Sequence, residues 1–517
     1  MIFPANALEH RQIALLLAIR AHRHRAGLHF VIVAAIAIHR FRGVGRQCPN
    51  YAMSYHASYL ANHSNTNNFP AMHNLKQSLM VFFAIVVIGS ILSAIIPPMQ
   101  SPDEADHLKR AYLLSRGLSV HTPPGQSTGG EIDDGLNTFM ATYLNAVANQ
   151  PHKTLSPETV HNASEIRWSR TETFQVIPNA APYFPLAYIP QAVGLRIGKT
   201  LNLNIGASYR LSRAVTLITI AALLALAFQI FPPNALVICL LALPMTMFQA
   251  ASATQDGLSI AWLILAGSLF RRGLEREKEF PVWMGAALII STFFVVSSRP
   301  QFFPMVILPA SVFWIRKNRR ALIVTGIASL GALAWILQAL GVVNMAHVRT
   351  MTTGQVVSMY AHHPIQLAAV FVRTLTDMNH LDFYWKSFVG MLGWLDTPMP
   401  HTIYALSAAA LIVTAAISFS AGVNRLARWL PILCAVLAIG LAFVAMLITW
   451  TEQPARYIEG VQGRYFIGPA FLIAYAIGSR AQDDRRIVAG TIACGIFTAA
   501  SVFMTASTLL WRYYLGM

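Results

Sequence analysis

The stretch from Ser101 to Tyr112 reads Ser-Pro-Asp-Glu-Ala-Asp-His-Leu-Lys-Arg-Ala-Tyr, and six ionisable side chains fill its eight positions from Asp103 to Arg110. A carboxylate pair where a membrane helix reaches water suits proton abstraction from a hydroxyl, or cation binding. The same residues equally suit a solvated helix start, because Pro-Asp-Glu is what a first turn prefers. On a helix beginning at Pro102, the spacing puts Asp103, Asp106, His107 and Arg110 on one face, with Glu104 about 100° round. Asp106 and Arg110 are spaced to pair locally. That leaves Asp103 as the carboxylate free to face a cavity.

Three further places carry charge inside apolar surroundings. Asp256 follows Ala253-Thr254-Gln255 and opens a helix at membrane depth, where a carboxylate is expensive unless paired or wet. Arg299 stands between two apolar runs, either bound to a partner or reaching out to headgroups. Glu459-Gly460-Val461-Gln462-Gly463-Arg464-Tyr465 offers two glycines for close backbone approach and an arginine suited to forking a phosphate or anchoring a lipid headgroup. A fourth stretch, Gly393-Trp394-Leu395-Asp396-Thr397, follows Phe383-Tyr384-Trp385. Its rings fit an interfacial aromatic belt or a wall against sugar or lipid.

The elements that must position these groups are membrane helices. Hydrophobic residues make up 55% of the 517, only 11% are charged, and the mean hydropathy is +0.50. Soluble domains carry about 25% charged residues. Apolar runs of spanning length recur, so the expected class is an all-α, polytopic transmembrane bundle. The net charge of +17 fits Lys and Arg in cytoplasmic loops, so no nucleic-acid partner is expected. Cys239, Cys434 and Cys494 lie in apolar runs, and no disulfide framework or cysteine zinc site is implied. Zinc spacings, a Walker loop and a dinucleotide fingerprint are absent from the sequence.

Residues 1–71 differ from the rest, with many His and Arg and one acid, Glu9. They are expected to be an extension, with translation starting at Met72 or Met80, ahead of a single integral membrane domain over 72–517. Spans are expected near 79–97, 209–230, 234–252, 255–270, 281–298, 301–315, 321–342, 401–422, 429–450, 465–479 and 487–509. That is about 11 spans, or up to 13 if short segments such as 183–198 also cross. Lys76 ahead of the first span puts the N-terminus in the cytoplasm. Basic loops at Arg271–Lys278, Arg316–Arg320, Arg425–Arg428 and Arg480–Arg486 then fall inside. The long loops 98–208 and 343–400 fall outside, the first bearing short helices. Arg196, Lys199, Arg210 and Arg213 lie outside too, against the positive-inside rule. Asp103, Asp256, Arg299, Asp396 and Arg464 share that outer side.

Four segments carry a resemblance. Pro97-Pro98-Met99-Gln100-Ser101-Pro102-Asp103-Glu104, Leu243-Pro244-Met245 with Ala253-Thr254-Gln255-Asp256, Gly390-Met391-Leu392-Gly393-Trp394-Leu395-Asp396-Thr397 and Gly460-Val461-Gln462-Gly463-Arg464-Tyr465-Phe466 resemble domain-of-unknown-function family 2142. The motifs run in order from about Met80 to Ser507. The family in turn looks like the C-type glycosyltransferases, polytopic inverting enzymes that use polyprenyl-phosphate sugars and carry an acidic residue in the first outer loop. That resemblance implies a C-type glycosyltransferase-like fold and matches Asp103, with Glu104 beside it, to the catalytic position. The Asp-x-Asp of that superfamily is absent here, so no cofactor is assigned and a divalent cation stays open.

The resulting expectation is a glycosyltransferase of the bacterial inner membrane, working at the periplasmic face in envelope glycan assembly or modification. Asp103 or Glu104 would deprotonate the acceptor, and Arg464 with Arg299 would hold the donor phosphate. His107, Asp256, Asp396 and Tyr465 would position groups in the cavity, and apolar grooves between spans would seat membrane lipid. The partners would be a polyprenyl-phosphate-linked sugar and an envelope glycan or lipid acceptor. The rival expectation is a flippase, transporter or non-catalytic assembly subunit for lipid-linked glycans.

Overall fold

A computed structural model describes residues 69–124, 126–177, 179–342, 350–478 and 484–516. The expectation of a basic extension over 1–71 lies almost wholly outside the described residues. The rest is mostly helical.

The first helix, α1 (Phe69–Ile95), carries the apolar stretch Ser78–Ile95 and ends ahead of Pro97-Pro98, where proline forbids further helix. The long first loop then folds by itself into α2 (Glu104–Ser115), β1 (Gly129–Asp133), α3 (Asp134–Val147), α4 (Pro157–Glu165) and β2 (Glu172–Val176). β1 and β2 pair antiparallel in the register Gly129 to Val176 and Asp133 to Glu172. Asp133 caps α3 by accepting from the Gly135 and Leu136 amides and also takes the Ser169 amide, which ties the hairpin to the helix. Besides the expected helices, the first loop therefore carries a small sheet.

A short helix, α5 (Ile189–Thr200), returns the chain to the bundle and packs antiparallel on α6 (Ile205–Ile230). At 12 residues it is about 18 Å long, short of a ~30 Å hydrocarbon layer. Gly194 makes the contact: a Cβ there would stand 2.4 Å from the Ser212 Cα. Small residues facing one another let membrane helices touch by backbone.

The run 234–252 is expected as one span. It is instead two seven-residue helices, α7 (Ala235–Leu241) and α8 (Pro244–Ala250), because Pro244 cannot continue the first and starts the second. Then follow α9 (Asp256–Gly273), α10 (Val282–Ser298), a 3₁₀ turn over Pro300–Val306, α11 (Ile307–Ile315) and α12 (Arg319–Val342). The second loop holds α13 (Thr353–His362), α14 (Pro364–Thr376), α15 (Met378–Val389) and a two-residue hairpin, β3 (Met391–Leu392) with β4 (Thr397–Pro398). The chain continues through α16 (His401–Ser418), α17 (Arg425–Thr449), a 3₁₀ turn over Gly463–Phe466, α18 (Ile467–Ile477) and α19 (Asp484–Leu510).

Six helices among the described residues are long and apolar enough to cross a membrane: α1, α6, α12, α16, α17 and α19 with its continuation to Leu515. The remaining five expected spans fall on shorter or less apolar helices.

Candidate functional site

Asp103 sits immediately ahead of α2 in the left-handed backbone region, at φ 61° and ψ 9°, and does not cap its own helix. Asp tolerates that conformation better than most residues, but it still costs on the order of 1 kcal/mol. What the bend achieves is direction. The Asp103 carboxylate accepts from Arg464 Nη2 at 3.0 Å and from Asn179 Nδ2 at 3.0 Å.

Arg464 extends the contact inward, its Nη1 donating to Asp256 Oδ2 at 3.4 Å. Asp256 is also paired with Arg299 and accepts from Gln249 Nε2 at 3.2 Å. Arg299 in turn donates to the Tyr183 hydroxyl at 3.2 Å and lies over that ring. Helix ends place the charges favourably. Asp103 and Asp256 stand at the N-termini of α2 and α9, and Arg299 at the C-terminus of α10. A small cavity of about 40 Å³ lies beside them, lined by Gln249, Asp256, Ser259, Arg299, Arg464 and Tyr465 among others. Gln249 Oε1, Ser259 Oγ and Arg464 Nε are buried with no protein partner. They are polar groups ready for a hydroxylated or anionic ligand.

Arg464 depends on its glycine neighbour for its place. A Cβ on Gly463 would stand 2.0 Å from the Tyr384 carbonyl oxygen and 2.2 Å from the Phe388 nitrogen, so only glycine lets the turn lie flat on α15. Ser387 Oγ then accepts the Gly463 amide at 2.8 Å.

His107 stacks on Tyr183 and hydrogen-bonds through Nδ1 to the Tyr188 hydroxyl at 2.7 Å. Burial pushes its pKa down to about 3 against the pull of Asp103, so the ring is neutral. Burial alone would raise the Asp103 carboxyl, but the Arg464 and Arg299 guanidiniums together hold it below the usual value. Burial raises the Asp106 carboxyl in spite of Lys109. The expected Asp106–Arg110 pair is not the one formed. Asp106 bonds Lys109 at 3.3 Å and the Asn179 amide, while Arg110 donates to the Tyr183 carbonyl at 3.3 Å. Three-residue and four-residue helical spacings both allow a pair, and the turn at Tyr183 decides between them.

The other expected residues lie apart from Asp103 in different ways. Glu104 is wholly buried and takes five donor groups from four residues, three outside its own turn and Ser101 within it: Arg213 at 3.0 Å, Tyr209 at 2.7 Å, the Ala253 amide at 3.0 Å and the Ser101 amide at 3.2 Å carry the shortest bonds. Arg213 also donates to the carbonyls of Ser93, Ile96 and Pro97, which α1 leaves open at its end. Arg213, an arginine expected against the positive-inside rule, thus has a structural role at the end of α1. Asp396 pairs with Arg512 at 3.0 Å and with Thr397, while Trp394 beside it donates to the Met99 carbonyl. Tyr465 lies under the Arg464 guanidinium. Asn179, Gln249, Arg213 and Arg512 were not expected. Their partners are 7 to 365 residues away, and no local spacing in the sequence signals them.

A divalent cation fits this donor set poorly. Asp103 and Asp256 are each charge-paired with Arg464, and no three His, Cys, Asp or Glu side chains converge among the described residues.

The profile of the family described as "Predicted membrane protein (DUF2142)" matches residues 85–508. No curated protein and no solved structure matches the chain. The chain belongs to the DUF2142 family and is a multi-pass membrane protein.

Proposed function

We propose that this member of the DUF2142 family is a glycosyltransferase of the bacterial inner membrane, taking a sugar from a polyprenyl-phosphate donor at the periplasmic face. On this reading 72–517 is one membrane domain of about 11 spans with a C-type glycosyltransferase-like fold. Its N-terminus is cytoplasmic, and loops 98–208 and 343–400 are periplasmic. The observation that carries the reading is the chain Asp103–Arg464–Asp256–Arg299, which joins a partly exposed carboxylate to two guanidiniums beside a polar cavity.

The chemistry follows from that order. An acceptor hydroxyl of an envelope glycan or lipid approaches Asp103, whose side chain keeps 28% of its surface exposed while that of Glu104 keeps none. The hydroxyl proton passes to the Asp103 carboxylate as its oxygen bonds the sugar's anomeric carbon. The bond from that carbon to the phosphate oxygen breaks. The departing polyprenyl phosphate gathers charge against Arg464 and Arg299, where fixed guanidiniums act best. Gln249 and Ser259 offer hydrogen bonds to the sugar. A groove of about 190 Å³ between α1, α6, α7, α8 and α9, lined by Ile85, Leu217, Ile220 and Met247 among others, supplies an apolar seat for the lipid. Ile260 lines both this groove and the polar cavity.

A second reading, a flippase for the same lipid, draws on the break between α7 and α8, since broken helices beside buried charges are common in transporters. Purified protein supplied with a polyprenyl-phosphate sugar decides between them. Transfer by the wild type that Asp103→Asn abolishes supports the enzyme. Full transfer by that variant removes Asp103 as base. No transfer together with lipid scrambling in vesicles favours the flippase.

A further inference from the structure

Helix α14 divides into three sectors. Leu367, Val370, Phe371 and Thr374 face inward onto a small core of their own. Ile365, Ala368, Val372 and Leu375 follow at i, i+3, i+7 and i+10 and are all exposed, Ile365 by 84% and Val372 by 60%. Gln366, Arg373 and Thr376 occupy the remaining sector. At 100° per residue these are a buried apolar face, an exposed apolar face and a polar face. A helix between protein and water needs only the first and the third.

Its height in the molecule explains the second. Phe371 packs on Phe443, with ring centroids 6.1 Å apart, and the same small core includes Leu447. Both belong to the last two turns of α17, whose exposed Leu433 and Val436 mark it as lipid-facing. With 25 residues α17 is about 37 Å long, so those turns lie where a ~30 Å hydrocarbon core gives way to headgroups. α14 itself has 13 residues, about 20 Å, and cannot cross.

We propose that α14 lies in the membrane interface, with the acyl-chain boundary of a phospholipid bilayer covering Ile365, Ala368, Val372 and Leu375. Arg373 reaches to the headgroups from the polar sector. The seat also bears on the site. Thr374 Oγ1 accepts the Ile458 amide at 2.9 Å, and the segment it holds leads to Arg464 six residues on. The bilayer seat is thus tied by one hydrogen bond to the segment that leads to Arg464.

The test uses full-length protein in phosphatidylcholine–phosphatidylglycerol vesicles, with its native cysteines changed to alanine. An environment-sensitive fluorophore is placed on Ile365→Cys, Val372→Cys, Gln366→Cys or Thr376→Cys. Expected is quenching by acyl-brominated lipid about threefold or more stronger at 365 and 372 than at 366 and 376, with the reverse order for aqueous iodide. Equal quenching at all four positions overturns the proposal. So does shielding of 365 and 372 from both quenchers, which would mean a second protein surface covers them. If the labelled variants fail to fold, wild-type protein photolabelled with a diazirine-tailed phospholipid gives the answer. Label in the 364–376 peptide supports the seat, and label confined to the long spans overturns it.

Discussion

Asp103 and Glu104 are neighbours in the chain, yet each carboxylate meets its own arginine: Arg464 at 3.0 Å for Asp103 and Arg213 at 3.0 Å for Glu104. The left-handed turn at Asp103 separates them. One carboxylate faces a cavity cluster, and the other is sealed among α1, α6 and the segment ahead of α9.

The two residues should therefore fail differently. Asp103→Asn is expected to fold and to lose about 10²–10⁴-fold in transfer, the usual worth of a general base. Glu104→Gln strands a buried arginine and is expected to cost about 3–5 kcal/mol of stability. Thermal melts in detergent beside a transfer assay separate the outcomes. Equal stability loss in both variants would contradict the division.

Arg464→Lys keeps the charge but loses the planar fork that reaches Asp103 and Asp256 together. The expected result is a fall in kcat of about 10²-fold, larger than the change in KM for the donor. A change confined to KM would make Arg464 a binding residue only.

Gly463→Ala forces a methyl against the backbone of α15. The turn must move, carrying Arg464 with it. Poor yield of folded protein, or a folded protein as impaired as Arg464→Lys, is expected. Wild-type transfer would show that the turn has slack.

The pH dependence has a definite sign. A histidine held down to about 3 binds its proton in the unfolded chain near pH 6.5 but not in the native one. Its contribution is whole above pH 6.5 and is lost as pH falls from there toward 3, by at most about 1.4 kcal/mol per pH unit. Asp103, depressed, adds stability that is present above about pH 3.9 and lost below as the folded carboxyl titrates. His107→Gln should flatten the fall in melting temperature between pH 6.5 and 5. An unchanged slope would mean another group carries it.

Chelation with EDTA is expected to leave transfer intact, because both site carboxylates are already charge-paired with arginine. A loss that magnesium or manganese restores would reverse that.

Much of the charge cluster at the candidate site was legible in the sequence. Asp103, Asp256, Arg299 and Arg464 each stood out as charge in an apolar setting, and the structure brings all four together. The cost of burying charge in lipid makes such residues visible. Their support was not visible. Arg213 read only as an outer arginine against the positive-inside rule and Arg512 drew no reading, because nothing in local spacing announces partners more than a hundred positions away. The break at Pro244 had its signal in the proline, but a run of leucine and methionine around it hid the stop. Lys109 took the place of Arg110 beside Asp106 because helical periodicity does not choose between adjacent cations.

Arg512 donates to the carbonyls of Lys153, Val147 and Gln150 as well as to Asp396, and the Leu155 amide reaches the Tyr513 carbonyl. The partners are some 360 residues apart. At about 5–20 residues per second, a ribosome needs roughly 20–70 s to travel that distance. Through that interval the first loop must wait with those carbonyls unclaimed while every intervening helix is inserted. Assembly of this protein thus has a late clasp: the earliest domain-like piece to emerge is among the last to be fastened.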